Sequence, residues 1–172
     1  MISVNERLTE AFATLPVMDL NPTGRPDGYK PVYDWGDFKQ LTKRLKLANL
    51  DTYPLIYQTS TESTQLSNER IVETDLSLVL AVQNTSIQDL NNVRWATTYK
   101  NILYPLAENI EILFTKGSIF TWDGEYTLSE VPNYGVDNQG ENSTIDIWDA
   151  LIFRTTIKIY GSQVCMKPLK YT

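Results

Sequence analysis

The sequence contains no histidine and a single cysteine in its 172 residues. Because histidine is the commonest general base and a common metal ligand, its absence excludes a Ser-His-Asp triad, a Cys-His pair and a histidine zinc site. Cys165 alone forms neither an internal disulfide nor a site built from several thiolates. Of the common catalytic side chains, the carboxylates remain.

The sequence is also poor in positive charge and in long apolar runs. The net charge is −6, which argues against a nucleic-acid binder that works by neutralising phosphates, though not against a protein past which DNA slides. No stretch is apolar over the roughly 20 residues that a membrane-spanning helix needs. The start of the chain, MISVNERLTEAF, lacks the pattern of a signal peptide. We therefore expect synthesis in the cytoplasm and no membrane partner.

The acidic residues show no pattern of a catalytic or metal site. Residues 136–149 resemble a calcium loop in composition, but Gly140 comes two positions early for an EF-hand and the distal glutamate is missing. Asp146 and Asp149 are three positions apart on a predicted strand, so they point to opposite faces and cannot act as a close pair. We expect no enzymatic activity, no cofactor and no bound metal.

The most informative stretch is IDIWDALIFRTTIKIY, residues 145–160, which predicts a single β-strand. The mean strand has about 5–6 residues, so this strand is unusually long. One face carries Ile147, Asp149, Leu151, Phe153, Thr155, Ile157 and Ile159, and the other carries Trp148, Ala150, Ile152, Arg154, Thr156, Lys158 and Tyr160. If helices cover only the first face, the second lies in water. Trp148 and Ile152 are not expected there unless something else covers them.

The remaining pattern predicts an α+β protein. The predicted elements are a helix over 3–15, a helix over 37–48, a strand over 53–59, a strand over 71–84, a helical region over 86–116 and a hairpin over 118–128 with its turn at Asp123-Gly124. Pro105 predicts a kink or restart of the helical region. This order favours a two-layer sandwich, in which an antiparallel sheet of long strands has helices packed on one face. The predicted core residues are Leu78, Leu80, Leu103, Leu106, Ile110, Leu151 and Phe153.

We expect a single domain over residues 1–172, in which residues 16–50 form an inserted loop and helix. Residues 16–36 contain four prolines and three glycines, which disfavours regular structure. Val32, Tyr33 and Trp35 are nevertheless too apolar for a free linker, so we expect this stretch to be ordered and docked on a neighbouring surface. On the helix over 37–48, a lysine stripe is either a solvated face or a docking face for an acidic partner subunit. The stripe consists of Lys39, Lys43 and Lys46.

Two polar stretches, 60–70 and 129–144, are predicted to be loops. They carry Glu62, Glu69, Glu130, Asp137 and Glu141. Loops placed by a rigid scaffold commonly carry function. We expect contacts to other proteins, or to a channel, to concentrate there, with an ordinary surface loop as the alternative.

Four stretches of the chain, in order, resemble the core of tail-terminator and related head–tail connector proteins of tailed bacteriophages. They are YPLIYQT, TDLSLVLAVQN, RWATTYKNILYPLAENIEILFTKG and DIWDALIFRTTIKIYG. The resemblance covers roughly residues 53–160 and consists of apolar spacing without catalytic motifs. Residues 16–50 depart from the compact versions of the family.

The resemblance implies a non-enzymatic subunit of a ring in the virion, at the neck or the tail end. DNA would pass through the ring as non-specific cargo, and acidic loops facing the channel would repel it. The implied partners are further copies of the chain and other connector, tail or portal-proximal proteins. A neighbouring copy would then cover the second face of the long strand, with Trp148, Ile152 and Arg154 as candidate interface residues together with the lysine stripe.

Three alternatives stay open. Trp148 could pack under residues 16–36 of its own chain. The chain could be a monomeric module that adds a partner's strand to its sheet edge. It could also be an enzyme that uses carboxylates, which would require a cleft with two convergent acids.

Overall fold

A computed structural model describes residues 4–18, 28–37, 40, 53–59, 62–66, 71–84, 90–134 and 147–160. The strands are β1 Val32–Trp35, β2 Leu55–Gln58, β3 Glu62–Leu66, β4 Ile71–Asn84, β5 Phe120–Thr121, β6 Tyr126–Tyr134 and β7 Ile147–Tyr160. The helices are α1 Val4–Phe12, α2 Asn91–Arg94, a π-helix Trp95–Leu103 and α3 Tyr104–Lys116. The structure confirms the predicted α+β architecture.

The seven strands form one sheet in the order β1-β2-β4-β7-β5, with β3 also paired to β4 and β6 to β7. All of the pairs are antiparallel except β1 and β2, which run parallel. The centre is the β4–β7 ladder, in which 14-residue strands pair from Ile71↔Tyr160 to Asn84↔Ile147. The predicted bounds of β4 are those observed.

The helices pack on the face of the β4–β7 ladder that alternation predicts. All seven predicted core residues, Leu78, Leu80, Leu103, Leu106, Ile110, Leu151 and Phe153, are 0 % exposed. Cross-strand pairs Leu78↔Phe153 and Leu80↔Leu151 place these side chains in one layer. Helix α1 adds Leu8, Ala11 and Phe12 to the same core. We call this face of the sheet the helix-covered face.

Phe114 of α3 joins the two layers through ring contacts. Its ring centroid lies 6.2 Å from Phe12, 5.2 Å from Phe120 and 6.4 Å from Phe153, the last two in edge-to-face geometry. Edge-to-face pairs at such distances add about 0.5–1.5 kcal/mol beyond the area they bury. The Phe114 side chain of α3 therefore contacts α1, β5 and β7 at one point.

The π-helix changes which residues of the helical region face the sheet. The backbone N–H of Tyr104 bonds to the carbonyl of Tyr99, five residues earlier, and Pro105 then starts α3 where its missing N–H is tolerated. A π-helix has more residues per turn than an α-helix, and Arg94, which comes directly before it, is only 2 % exposed. The apolar pattern of the helical region predicts that Val93 lies on the inner side, but Val93 is 43 % exposed.

Several expected loops and turns are regular strands. The predicted loop 60–70 contains β3, and 129–144 begins as the second half of β6. The predicted hairpin over 118–128 is wrong, because β5 and β6 do not pair with each other. Both pair with β7, Thr121 opposite Lys158 and Tyr126 opposite Thr155. β5 and β6 therefore pair with successive parts of the same edge of β7.

The described parts of the stretch 16–36, which are residues 16–18 and 28–36, pack on the sheet of their own chain. The last part of the stretch is β1, which extends the sheet beside β2, and Met18 and Tyr29 form an isolated bridge. Apolar Val32, Tyr33 and Trp35 thus belong to an edge strand, which is four residues long. Apart from Asp37 and Gln40, the predicted helix over 37–48 lies outside the described residues.

Truncating Leu151 tests the position of the core. Leu151→Ala should lower the free energy of unfolding by about 2–5 kcal/mol, because the cavity lies between two fully packed layers. Urea denaturation followed by circular dichroism measures this change. Thr127→Ala, exposed on β6, should stay within about 0.5 kcal/mol of the parent chain. Equal midpoints for the two variants would remove Leu151 from the core.

Candidate functional site

The face of the β4–β7 ladder opposite the helices has two unlike halves. In the first half, side chains of β2, β4 and β7 form a second buried cluster, made of Tyr53, Leu55, Tyr57, Val79, Ala81, Trp148 and Ala150. In the second half, which begins at Ile152 on β7 and Ser77 on β4, the residues are mostly polar and open. We call these the closed half and the open half. The open half is the candidate functional site.

Trp148 belongs to the closed half and is only 1 % exposed. Its indole Nε1–H donates a hydrogen bond of 2.7 Å to the hydroxyl of Tyr53. Among the described residues, the ring of Tyr134 stacks on it at 6.0 Å, and Tyr53 meets it edge-on at 6.4 Å. The expectation that its own chain leaves Trp148 uncovered is therefore wrong. Among the described residues, the covering rings come from the flank of β2 and from β6.

Ile152 and Arg154 lie where alternation predicts, on the open half. Ile152 is half-buried and Arg154 is exposed. Together with Ser77, Thr127 and Thr156, Arg154 lines an open trough of about 830 Å³. The role of Ile152 and Arg154 in a subunit contact stays a prediction.

The charges of the open half are arranged by strand. β4 supplies Glu73 and Asp75, and β7 supplies Arg154 and Lys158. Lys158 Nζ lies 3.4 Å from a carboxylate oxygen of Glu73, and the hydroxyl of Thr156 donates to Asp75 at 2.6 Å. For Arg154, by contrast, the described part of the chain shows no ion pair. A positive charge therefore stands exposed in the middle of the trough.

A buried ion pair on the helix-covered face was not foreseen. Arg94, 2 % exposed, places Nη1 2.8 Å from Oδ1 of Asp149, which is 0 % exposed. The hydroxyl of Thr98 donates to Oδ2 of the same carboxylate at 2.8 Å. Breaking such a pair leaves an uncompensated buried charge, so its role is to fix the helical region on β7. The sequence could have revealed the buried Arg94 only through the residue spacing of a π-helix, because α-helical periodicity favours Val93 at that place.

Two tyrosine hydroxyls show the same coupling between helices and sheet. Burial raises the pKa of Tyr99, and the nearby negative charge of Asp149 raises it further. The hydrogen bond that Tyr104 donates to Glu130, 2.7 Å long, raises the pKa of Tyr104. Neither group therefore titrates near neutral pH, and neither is suited to act as a general base.

The acidic residues predicted to line a channel do not form one cluster in the described part of the chain. Glu130 lies in β6, where Tyr104 binds it, and Glu62 lies in β3, opposite Asp75 in register. Outside the described residues are Glu69, Asp137 and Glu141, together with Lys39, Lys43 and Lys46. Their predicted roles therefore stay predictions.

The geometry offers little for catalysis. Among the described residues, no group of three or more acidic, histidine or cysteine side chains could hold a metal ion. Asp75 and Glu125 both line the trough, but both are exposed in an open, solvated site, which is not the enclosed environment that tunes an acid–base pair.

No helix in the described ranges is long and apolar enough to cross a membrane.

Comparison with protein-family models gives no match, and a search of the curated proteins also gives none. The resemblance to phage tail-terminator and connector proteins therefore stays an expectation from sequence patterns. The structural feature that can support a function is the open half of the sheet.

The cover over Trp148 generates a first prediction for this region. Trp148→Ala should lower the free energy of unfolding by about 3–5 kcal/mol, because a fully buried indole and its hydrogen bond are lost. Trp95→Ala provides the control, since Trp95 is 47 % exposed and should change stability by less than about 1 kcal/mol. A Trp148→Ala chain that is stable but fails to associate would return Trp148 to the interface.

The Arg94–Asp149 pair generates a second prediction. Arg94→Met should cost about 3–5 kcal/mol in urea denaturation, because the Asp149 carboxylate is left buried without its cation. The double variant Arg94→Met/Asp149→Leu should regain most of that loss. As a control, Lys158→Met breaks an exposed pair worth about 0–1 kcal/mol. If the double variant is no more stable than Arg94→Met, the pair is not the source of the stability.

Proposed function

We propose that the chain is a structural subunit of a tailed-phage virion, a tail terminator or head–tail connector that assembles with further copies into a ring. The proposal rests on the open half of the sheet, because β4 and β7 extend past the closed half, and β7 carries Ile152 and Arg154 there on the face opposite the described helices. DNA would pass through the ring, and other neck or tail proteins would bind its two ends.

The length of the central strands supports a contact with a neighbour. Fourteen residues extend about 46 Å at roughly 3.3 Å per residue. A contact that joins two different surfaces closes into a ring when each step adds a rotation. The net charge of −6 suits a ring that lets DNA slide without binding its phosphates.

Strand addition at a sheet edge is the second candidate, and the geometry of β1 disfavours it. The N–H groups of Val32 and Gly36 bond to β2, so alternation points the N–H of Trp35 outward. The side chain of Asp34 already accepts from that N–H at 2.9 Å. β1 is also only four residues long. On the opposite edge, Pro132 removes a donor from β6. The two edge strands β1 and β6 therefore offer a poor template for an added strand.

Size-exclusion chromatography with light scattering on the purified chain tests the proposal. We expect a discrete oligomer without added ligand, and negative-stain electron microscopy of the same fraction should show rings. A monomer throughout the micromolar range, binding an extended peptide at its edge, would favour the module. Turnover of a glycoside or phosphate substrate, abolished by Asp75→Asn, would favour the enzyme.

Ile152 provides the specific prediction. Ile152→Asp should shift the oligomer to monomer, because a charge in a buried contact is desolvated without a partner. Val17→Asp makes the same change at an apolar residue that is 55 % exposed and far from the open half in sequence. Its elution should match the parent chain. Unchanged assembly of folded Ile152→Asp would remove the open half from the interface.

A further inference from the structure

We propose that the open half of the sheet is covered by the outward side of helix α3 from the next copy of the chain. This inference rests on the proposed ring, and it specifies which two surfaces meet. The outward side of α3 is defined here by Glu108 and Ile112, one helical turn apart. The contact would pair Ile112 with Ile152 and Glu108 with Arg154.

Helix α3 has an apolar residue on its solvent side that its own chain does not cover. Leu106, Ile110 and Phe114 are buried on the inner side. Ile112 is 49 % exposed, and Glu108, four residues earlier, is also exposed. Residues four apart on a helix are surface neighbours. An apolar side chain and a negative charge are thus presented together.

The open half presents the complementary pair. Ile152 is half-buried and Arg154 is exposed on the same face two residues later. Beside Arg154 the trough is lined by Ser77 and Thr127, whose short side chains allow a helix to approach the sheet. The positive charge of Arg154 meets the negative charge of Glu108, and the two isoleucines supply apolar area.

The dimensions of the two surfaces agree. Helix α3 has 13 residues and is about 20 Å long at roughly 1.5 Å per residue. The open part of β7, from Ile152 to Tyr160, is about 30 Å long at roughly 3.3 Å per residue. The helix therefore fits within the length of the exposed sheet. With the neighbour's helix in place, the open half, on which the described residues place no helix, gains a second layer.

The position of the two surfaces also selects the symmetry. They lie on opposite sides of a two-layer molecule, so each copy uses its sheet face on one neighbour and its α3 on the other. Such a contact is heterologous and can repeat around a ring. A two-fold contact between two open halves is the competing arrangement. It would leave Ile112 uncovered and would bring Arg154 against a surface whose Glu73 already binds Lys158.

A charge-swap experiment on the full chain tests the contact. Arg154→Glu and Glu108→Arg should each lower the apparent association constant by about tenfold or more, because each places like charges together. The double variant Arg154→Glu/Glu108→Arg should recover to within about threefold of the parent chain. Lys30→Glu, at an exposed residue beside β1, is the matched charge reversal and should assemble as the parent does. Circular dichroism should show that all four variants fold.

The outcomes separate this inference from the proposed function. A parent chain that stays monomeric overturns both. A parent chain that forms rings, with single variants that assemble normally or a double variant that does not recover, overturns the α3 contact and leaves the ring intact. A parent chain that forms only dimers favours the two-fold contact and overturns the α3 contact. Recovery of ring assembly in the double variant supports the pairing of Arg154 with Glu108.

Discussion

The pairing of β4 with β7 is the interaction on which the rest of the structure depends. The ladder runs the full 14 residues of both strands, and every other strand pairs with one of these two except β1, which attaches through β2. The helical region is fastened to the same ladder by the Arg94–Asp149 ion pair. A shift of register by one residue would exchange the two faces of either strand. The core, the closed half and the open half would then all be lost together.

The two faces of the ladder differ in which side chains they carry and in how far these are buried. On the helix-covered face, large apolar side chains and one enclosed ion pair stabilise the chain by itself. On the other face, aromatic side chains pack together in the closed half. Along β7, buried Trp148 is followed by half-buried Ile152 and exposed Arg154, which are the residues that the proposed assembly would use.

The parts of this structure that could be predicted are those governed by short-range periodicity. Leucine at every second position of β4 and the alternation in β7 were sufficient to place the core and to put Ile152 and Arg154 on the uncovered side. β6 was missed because serine, threonine and glutamate occupy much of it and Pro132 interrupts it. The cover over Trp148 could not be predicted, since Tyr53 and Tyr134 reach it only through the strand register. Arg94 was hidden because α-helical spacing puts Val93 in its place.

The central ladder joins strands that lie far apart in the chain, with Asn84 opposite Ile147 and Ile71 opposite Tyr160. Contacts of such high sequence separation slow folding, because loop closure must precede the stabilisation that they provide. On the ribosome, β4 emerges with its row of leucines long before β7 is available to pair with it. By then β2 and β3 are available to pair with one edge of β4, whereas the edge that β7 later occupies stays open to other chains. We therefore expect aggregation of the nascent chain to depend on how long this edge waits for β7.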